Sequence, residues 1–440
     1  MSGNTTQRIQ SEQRPLLLVE TSRALPLVSI SVALRTGAIE DPAGKEGLSR
    51  ITARLMRRTG GGLAPQQLDT RIDTLGGSLG AEISQSTLTF HGAVIRRSLD
   101  AFVDLYTDIL TRPGFSADEL ARLQRETEGE LVELRDNDRA LARRWFRRKL
   151  FDGHSYGRSV SGTLDTVRGL GREDVQALYR HMFCPENLVF AFAGDIEAGV
   201  AEAVAVRVTS ALGAGERRLD TLPDPTVLPG RRLVIVDKPE RAQTQIMIGG
   251  LGTDPHDEDH LALHVANTVF GGTFTARMTE EIRSKRGWSY GAYSSLPYDR
   301  HRRGFSMWTF PKASDAAACV ALELEMLAKW RDKGITKREL SWAKRYLSRS
   351  HAFALDTASK RVGLALDEEL YELPPGYHSE YVERVGAITL DEANQAVRRR
   401  IPSDDLLIVV VGTASEIGDA VREAVPDLAS TEIVPFDRDA

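Results

Sequence analysis

The apolar positions of this chain follow two periods, and each predicts a different element. In "LPLVSISVALRTG" apolar and small polar residues alternate before the run turns continuously apolar, which predicts a strand. "GGSLGAEISQSTLTFHGAVI" is strand-like as well, alternating through Ile83, Thr87 and Thr89 among β-branched neighbours. By contrast, "SLDAFVDLYTDILTRP" repeats its apolar residues every three or four positions and predicts a helix that stops at Pro113. "SADELARLQRETEGELVELRDNDRALARRWFRRKLF" reads as one long helix, acidic early and basic late, as the helix dipole favours.

These patterns occur twice. The first half closes with "REDVQALYRHMFCPENLVFAFAGDI" and the second with "LDEANQAVRRRIPSDDLLIVVVGTA". In both, an acidic helix start leads to a proline (Pro185, Pro402) and then to an apolar run ending in glycine (Gly194, Gly412). From Pro185 to Pro402 the offset is 217 residues. The beginnings match more loosely: "LVSISVALRTG" and "TQIMIGGLG" are each followed by an acidic loop and an amphipathic helix. Between the halves lies the polar, proline-punctuated stretch "LGAGERRLDTLPDPTVLPG", read as an exposed linker. Strands mixed with runs of helices predict an α+β fold. The expectation is two homologous domains, 14–211 and 231–440, joined by a linker at 212–230, each a largely antiparallel sheet with helices packed on one face.

Composition narrows the function classes. The chain has 440 residues, 41% hydrophobic and 27% charged, with a net charge of -5. That balance argues against a nucleic-acid or membrane-surface binder, and the basic run Arg143, Arg144, Arg147, Arg148, Lys149 reads as a solvated helix face. Cys184 and Cys319 are too far apart in sequence for a metal or redox pair and read as small buried hydrophobes. The N-terminus has no apolar core of signal-peptide length, and no apolar run is long enough for a membrane span. A soluble protein is expected, cytoplasmic as the sequence stands, or periplasmic if an export signal has been removed.

No phosphate-cradling glycine loop with its lysine appears, and no nucleophile elbow. His256 and His260 are four apart in "PHDEDH", but a helix-capping loop is the simpler reading than a metal site. Two other stretches carry more. "GLSRITARLM" places Arg50 and Arg54 four apart, on one face of a helix. "NTVFGGTFTARMTEEIRSKRGWSYGAYSS" predicts a helix ending at Gly271-Gly272, a second helix from about Thr273 to Gly287, and a strand carrying Tyr290 and Tyr293. Spacing alone would make Arg283 a cation at a helix C-terminus and Tyr290 a half-buried strand aromatic.

The second string resembles the C-terminal signature of the pitrilysin/insulinase family of zinc metallopeptidases, in its short bacterial and mitochondrial-processing-peptidase-like branch. Arg283 and Tyr290 match that signature's arginine and tyrosine, with "SKRGWS" between them. The resemblance spans essentially the whole chain and includes the duplication. It implies that Arg283 and Tyr290 hold substrate and the oxyanion of its tetrahedral intermediate. In active members of the family an inverted H-x-x-E-H motif binds zinc through two histidines and activates water through the glutamate. Against that motif, Arg50 and Arg54 stand at the histidines and Ala53 at the glutamate, while Glu130 in "ELVELRDND" matches the third, acidic ligand.

Guanidinium has no lone pair to donate at neutral pH. One positive charge about 4 Å from a dication costs on the order of 8 kcal/mol at an effective dielectric of about 20. Two such penalties cancel a structural zinc affinity of about 10–16 kcal/mol. No metal is expected in this chain, and Arg54 is expected to pair with Glu130. The resemblance further implies a non-catalytic subunit of a heterodimeric endopeptidase, in which a homologous partner carries the zinc and cleaves the peptide. A purely structural scaffold subunit is the alternative. A stand-alone peptidase with its metal at His256 and His260 would lack a third ligand and a base.

Overall fold

The computed structural model describes residues 6–11, 14–216 and 221–439. Residues 217–220 of the expected linker, and Ala440 at the end of the expected second domain, lie outside the described residues.

Among the described residues twelve strands form two sheets. The first holds β1 (Gln7–Ser11), β2 (Arg14–Thr21), β3 (Leu27–Leu34), β4 (Gly77–Ile83), β5 (Leu88–Ile95) and β6 (Leu188–Gly194), in the order β1-β2-β6-β3-β5-β4. The second holds β7 (Arg231–Asp237), β8 (Gln245–Leu251), β9 (Ala292–Ser295), β10 (Gly304–Thr309), β11 (Leu407–Gly412) and β12 (Leu428–Pro435), in the order β12-β7-β11-β8-β10-β9. Five strands repeat one plan. β2 lies parallel to β6 as β7 does to β11, and the next three pairings are antiparallel in both sheets. The sixth strand breaks the repeat: β1 is antiparallel to β2, and β12 is parallel to β7. The expected α+β class and duplication are therefore present, with β6 and β11 as the matched apolar runs.

Each sheet has helices over one face and one further helix over the other. In the first, Val28, Ile30 and Val32 of β3 enter a core with Ile51, Leu55 and Met56 of the helix Leu48–Thr59. On the reverse face Leu16, Leu18, Ala33, Val189 and Ala191 meet Val362, Leu366 and Leu370 of the helix Ala358–Leu370. Burial on both faces explains why β6 reads as unbroken apolar sequence. In the second sheet the helix Asp138–Leu150 packs on β8 and β11. The compact units are accordingly 1–131 with 159–221 and 352–379, and 132–158 with 222–351 and 380–440. The sheets keep to their own halves of the chain, whereas the helices at 138–150 and 358–370 are exchanged.

The stretch read as one long helix is two, Ala117–Leu134 and Asp138–Leu150. Asn137 ends the first and caps the second, its side chain accepting the backbone N–H of Ala140 at 3.0 Å. Cys184 and Cys319 are both free and buried. Among the described residues no helix is long and apolar enough to cross a membrane.

Candidate functional site

The helix Leu48–Thr59 begins without an N-cap side chain of its own. Gly47 takes φ +95°, a conformation that favours glycine. The carboxylate of Asp41 then reaches across to accept the backbone N–H groups of Gly47 and Ser49, both at 2.8 Å. Burial pushes the Asp41 carboxyl up to about 6, against the hydrogen bonds from Ser49 and Gly47 that pull it down.

With Leu48, Ile51, Leu55 and Met56 in the core, Arg50, Arg54 and Arg58 line a second side of the helix at four-residue spacing. All three meet carboxylates of the helix Ala117–Leu134. Arg50 Nη2 donates to Glu130 Oε2 at 2.7 Å. Arg54 donates to both Glu130 oxygens, Nη2 to Oε1 at 2.8 Å and Nη1 to Oε2 at 3.1 Å, and also to Thr127 Oγ1 at 3.2 Å. Arg58 pairs with Glu126 and stands 4.0 Å from Glu119. Burial works to raise the Glu130 carboxyl, but the hydrogen bonds and charges of Arg50 and Arg54 outweigh it and hold it below the usual carboxylate range. Ala53 is buried in the core and offers only a methyl group. This donor set does not fit zinc: two of its four positions are cations, and both oxygens of Glu130 already accept from them.

In the second unit the helix His260–Phe270 ends at Gly271. A Cβ on Gly271 would lie 2.4 Å from Ser294 Oγ and 2.6 Å from its backbone nitrogen, so close packing on β9 requires glycine there. Helical structure resumes at Arg277, later than the sequence suggests, and runs as a π-helix over Thr279–Lys285. Such wide turns are rare and frequent at functional sites. Gly287, at φ +67°, closes it, with its N–H bonded to Arg283 O at 3.0 Å.

Arg283 lies on this π-helix with its guanidinium carbon 4.2 Å from the ring centre of Phe274 and 4.2 Å from that of Tyr290. Tyr290 lies in a bend two residues before β9, not on the strand, and it is 70% exposed rather than half-buried. Tyr293 does lie on β9, stacked on Trp308 of β10. Among the described residues Arg283 forms no ion pair. Its acidic neighbours are engaged elsewhere, Glu281 with Lys285 and Arg286, Glu280 with Lys285. The structure thus brings Arg50, Arg54 and Glu130 into one cluster and Arg283 and Tyr290 into another. Sequence reading missed Arg58, which continues the four-residue spacing. It also missed Phe274, whose contact depends on the π-turn and has no sequence signal.

His260 is buried and His264 half-buried at the start of the helix His260–Phe270, and His260 Nδ1 lies 2.9 Å from Thr253 Oγ1. Burial pushes the His260 imidazole down to about 3, with His264 and Arg384 adding to the shift, and burial lowers His264 likewise. Asp254 and Asp257 accept backbone N–H bonds from His256 and Asp259 in the preceding loop. Among the described residues no three His, Cys, Asp or Glu side chains are grouped so as to hold a metal ion.

Comparison with known proteins gives this arrangement its setting. Residues 17–164 match the insulinase model of peptidase family M16, and residues 169–347 match the model described as the peptidase M16 inactive domain. The chain belongs to peptidase family M16, as a non-catalytic member. It is 25% identical over 330 residues to an uncharacterized zinc protease of Mycobacterium leprae, covering 74% of each chain. It is 21% identical over 422 residues to a non-peptidase homolog of Helicobacter pylori, covering 93% of this chain and 94% of that one. In fold it is similar to the crystal structure of a peptidase M16 inactive domain from Pseudomonas fluorescens. The TM-score is 0.86 at 23% identity, over 92% of this chain and 98% of that one.

Proposed function

We propose that this chain is the non-catalytic subunit of a heterodimeric zinc endopeptidase. It supplies Arg283 and Tyr290 to a homologous, zinc-bearing partner that cleaves peptides. The observation that carries this reading is the state of the pair: Arg283 and Tyr290 are in contact, Tyr290 is exposed, and no acidic side chain among the described residues neutralises Arg283. A residue kept for folding alone would more commonly be paired or buried. Tyr290 donates its O–H to the developing oxyanion, and Arg283 positions the substrate's carbonyl. Loss of one such donor typically lowers the rate by about 10²–10³. The peptide binds as an added strand on an open sheet edge. This chain brings no cofactor of its own, and the zinc resides in the partner.

The test is peptide hydrolysis by this chain alone, by the zinc-bearing subunit alone and by the mixture, repeated with Arg283→Ala and Tyr290→Phe. Activity confined to the mixture and reduced by either substitution supports the proposal. Chelator-sensitive activity of this chain by itself would overturn it. A mixture indifferent to both substitutions would favour the second reading, a scaffold subunit. What speaks for that reading is the arginine–glutamate ladder, whose ion pairs link the two helices.

A further inference from the structure

The two arginine clusters are treated oppositely. Arg50, Arg54 and Arg58 each meet a carboxylate of the neighbouring helix. Arg283 meets none among the described residues, although Glu280 and Glu281 are three and two residues away and are bound to Lys285 and Arg286. Its guanidinium carbon lies against two rings, 4.2 Å from the centre of Phe274 and 4.2 Å from that of Tyr290. Ring faces attract a cation but accept no in-plane hydrogen bonds. The five N–H donors of the fork lie in the guanidinium plane, and none meets an acceptor among the described residues. The aromatic walls are themselves open, with Phe274 53% and Tyr290 70% exposed.

We infer that Phe274, Arg283 and Tyr290 together form a receptor for a carboxylate carried by a peptide, with Phe274 as the positioning residue that fixes the guanidinium plane. Two rings in contact with the guanidinium limit how the fork can reorient. Its paired N–H donors match two coplanar oxygens, as a carboxylate presents them. Flanking apolar groups of the same peptide rest on the exposed ring edges. This inference rests on the reading that Arg283 and Tyr290 meet peptide, and it names the class: peptides bearing a carboxylate at the residue that reaches Arg283. The carboxylate comes either from a chain end or from an acidic side chain.

The experiment uses the full chain without any partner. Fluorescence anisotropy follows an N-terminally labelled, alanine-rich decapeptide in three forms: free C-terminus, amidated with one central glutamate, and amidated with glutamine in that place. At least one carboxylate form is expected to bind about tenfold tighter than the glutamine amide, and which one does so identifies the source. Arg283→Lys keeps the charge but loses the fork, and should remove that preference. Phe274→Ala should weaken it by about three- to tenfold, and Phe274→Tyr should restore it, with thermal unfolding confirming that each variant is folded. Equal binding of all three forms, no saturable binding of any, or an unchanged preference in Arg283→Lys would overturn the inference. Because these measurements need no hydrolysis, their failure is separate from a failure of the mixed-subunit activity assay.

Discussion

Arg54 and Glu130 form a two-pronged ion pair, with Nη2 to Oε1 at 2.8 Å and Nη1 to Oε2 at 3.1 Å. Arg50 adds a third bond to the same carboxylate at 2.7 Å. One acidic side chain thus holds two guanidinium groups that stand a helical turn apart, and removing it leaves like charges side by side.

Glu130→Ala should therefore destabilise the protein by about 1 kcal/mol, at the upper end for surface ion pairs because two arginines lose their partner. The value stays modest because the Glu130 side chain is 42% exposed. Arg50→Ala should matter less, since Arg54 remains paired. The check is the urea midpoint at constant slope, and an unmoved midpoint in Glu130→Ala would show that the ladder does not hold the helices.

Replacing the cations should restore a metal site. The double variant Arg50→His with Arg54→His would present two imidazoles and the Glu130 carboxylate, a tripod of the catalytic zinc type. Equilibrium dialysis should then find about one zinc per chain in the variant and none in the wild type. Stoichiometric zinc in the wild type would refute the account of the site.

Glu323 sits fully buried on the helix Ala316–Lys333, accepting a hydrogen bond from Thr309 Oγ1, while its Oε2 has no partner among the described residues. Burial pushes its carboxyl up to about 8, against the hydrogen bonds from Thr309 and Cys319. The unfolded chain releases this proton near 4.5 and the folded chain only near 8. Stability is thus lost as pH rises between those values, by up to a few kcal/mol. In Glu323→Gln the denaturation midpoint should fall less between pH 5 and pH 9 than in the wild type. Parallel profiles would show that Glu323 does not titrate in this way.

The histidines at the start of the helix His260–Phe270 act in the opposite direction. His260 is held neutral down to about 3, so the unfolded state gains a proton first as pH drops through 6.5. Stability should fall over that interval by as much as about 1.4 kcal/mol per pH unit for each such histidine. His260→Gln should shallow the decline between pH 6.5 and pH 4.5. A decline as steep as in the wild type would assign the acid sensitivity to other groups.

Much of this was legible from sequence because the relevant signals are local. Strand and helix periods, and the 217-residue echo, gave two sheets of one plan. The four-residue spacing of Arg50 and Arg54 placed both on one helix face, and continuing that count would have reached Arg58. The "RDND" turn could likewise have been read as a stop followed by a cap at Asn137. What was illegible depends on distance. An amphipathic face records that a helix is covered but not by which sheet, so nothing in 138–150 or 358–370 announces the exchange. The place of Tyr290 ahead of β9, and the contact of Phe274 with Arg283, follow from the path of the chain around a π-turn, which no residue pattern encodes.

The exchanged helices also decide how the polypeptide can be divided. A protease nick at 221–230 would yield two fragments, each with all the strands of its own sheet but lacking the helix that shields one face. Neither piece should be soluble and ordered by itself, and co-expression of the two should recover a tight complex. On this account each duplicated half relies on a helix from the other, so neither should be obtainable folded by itself.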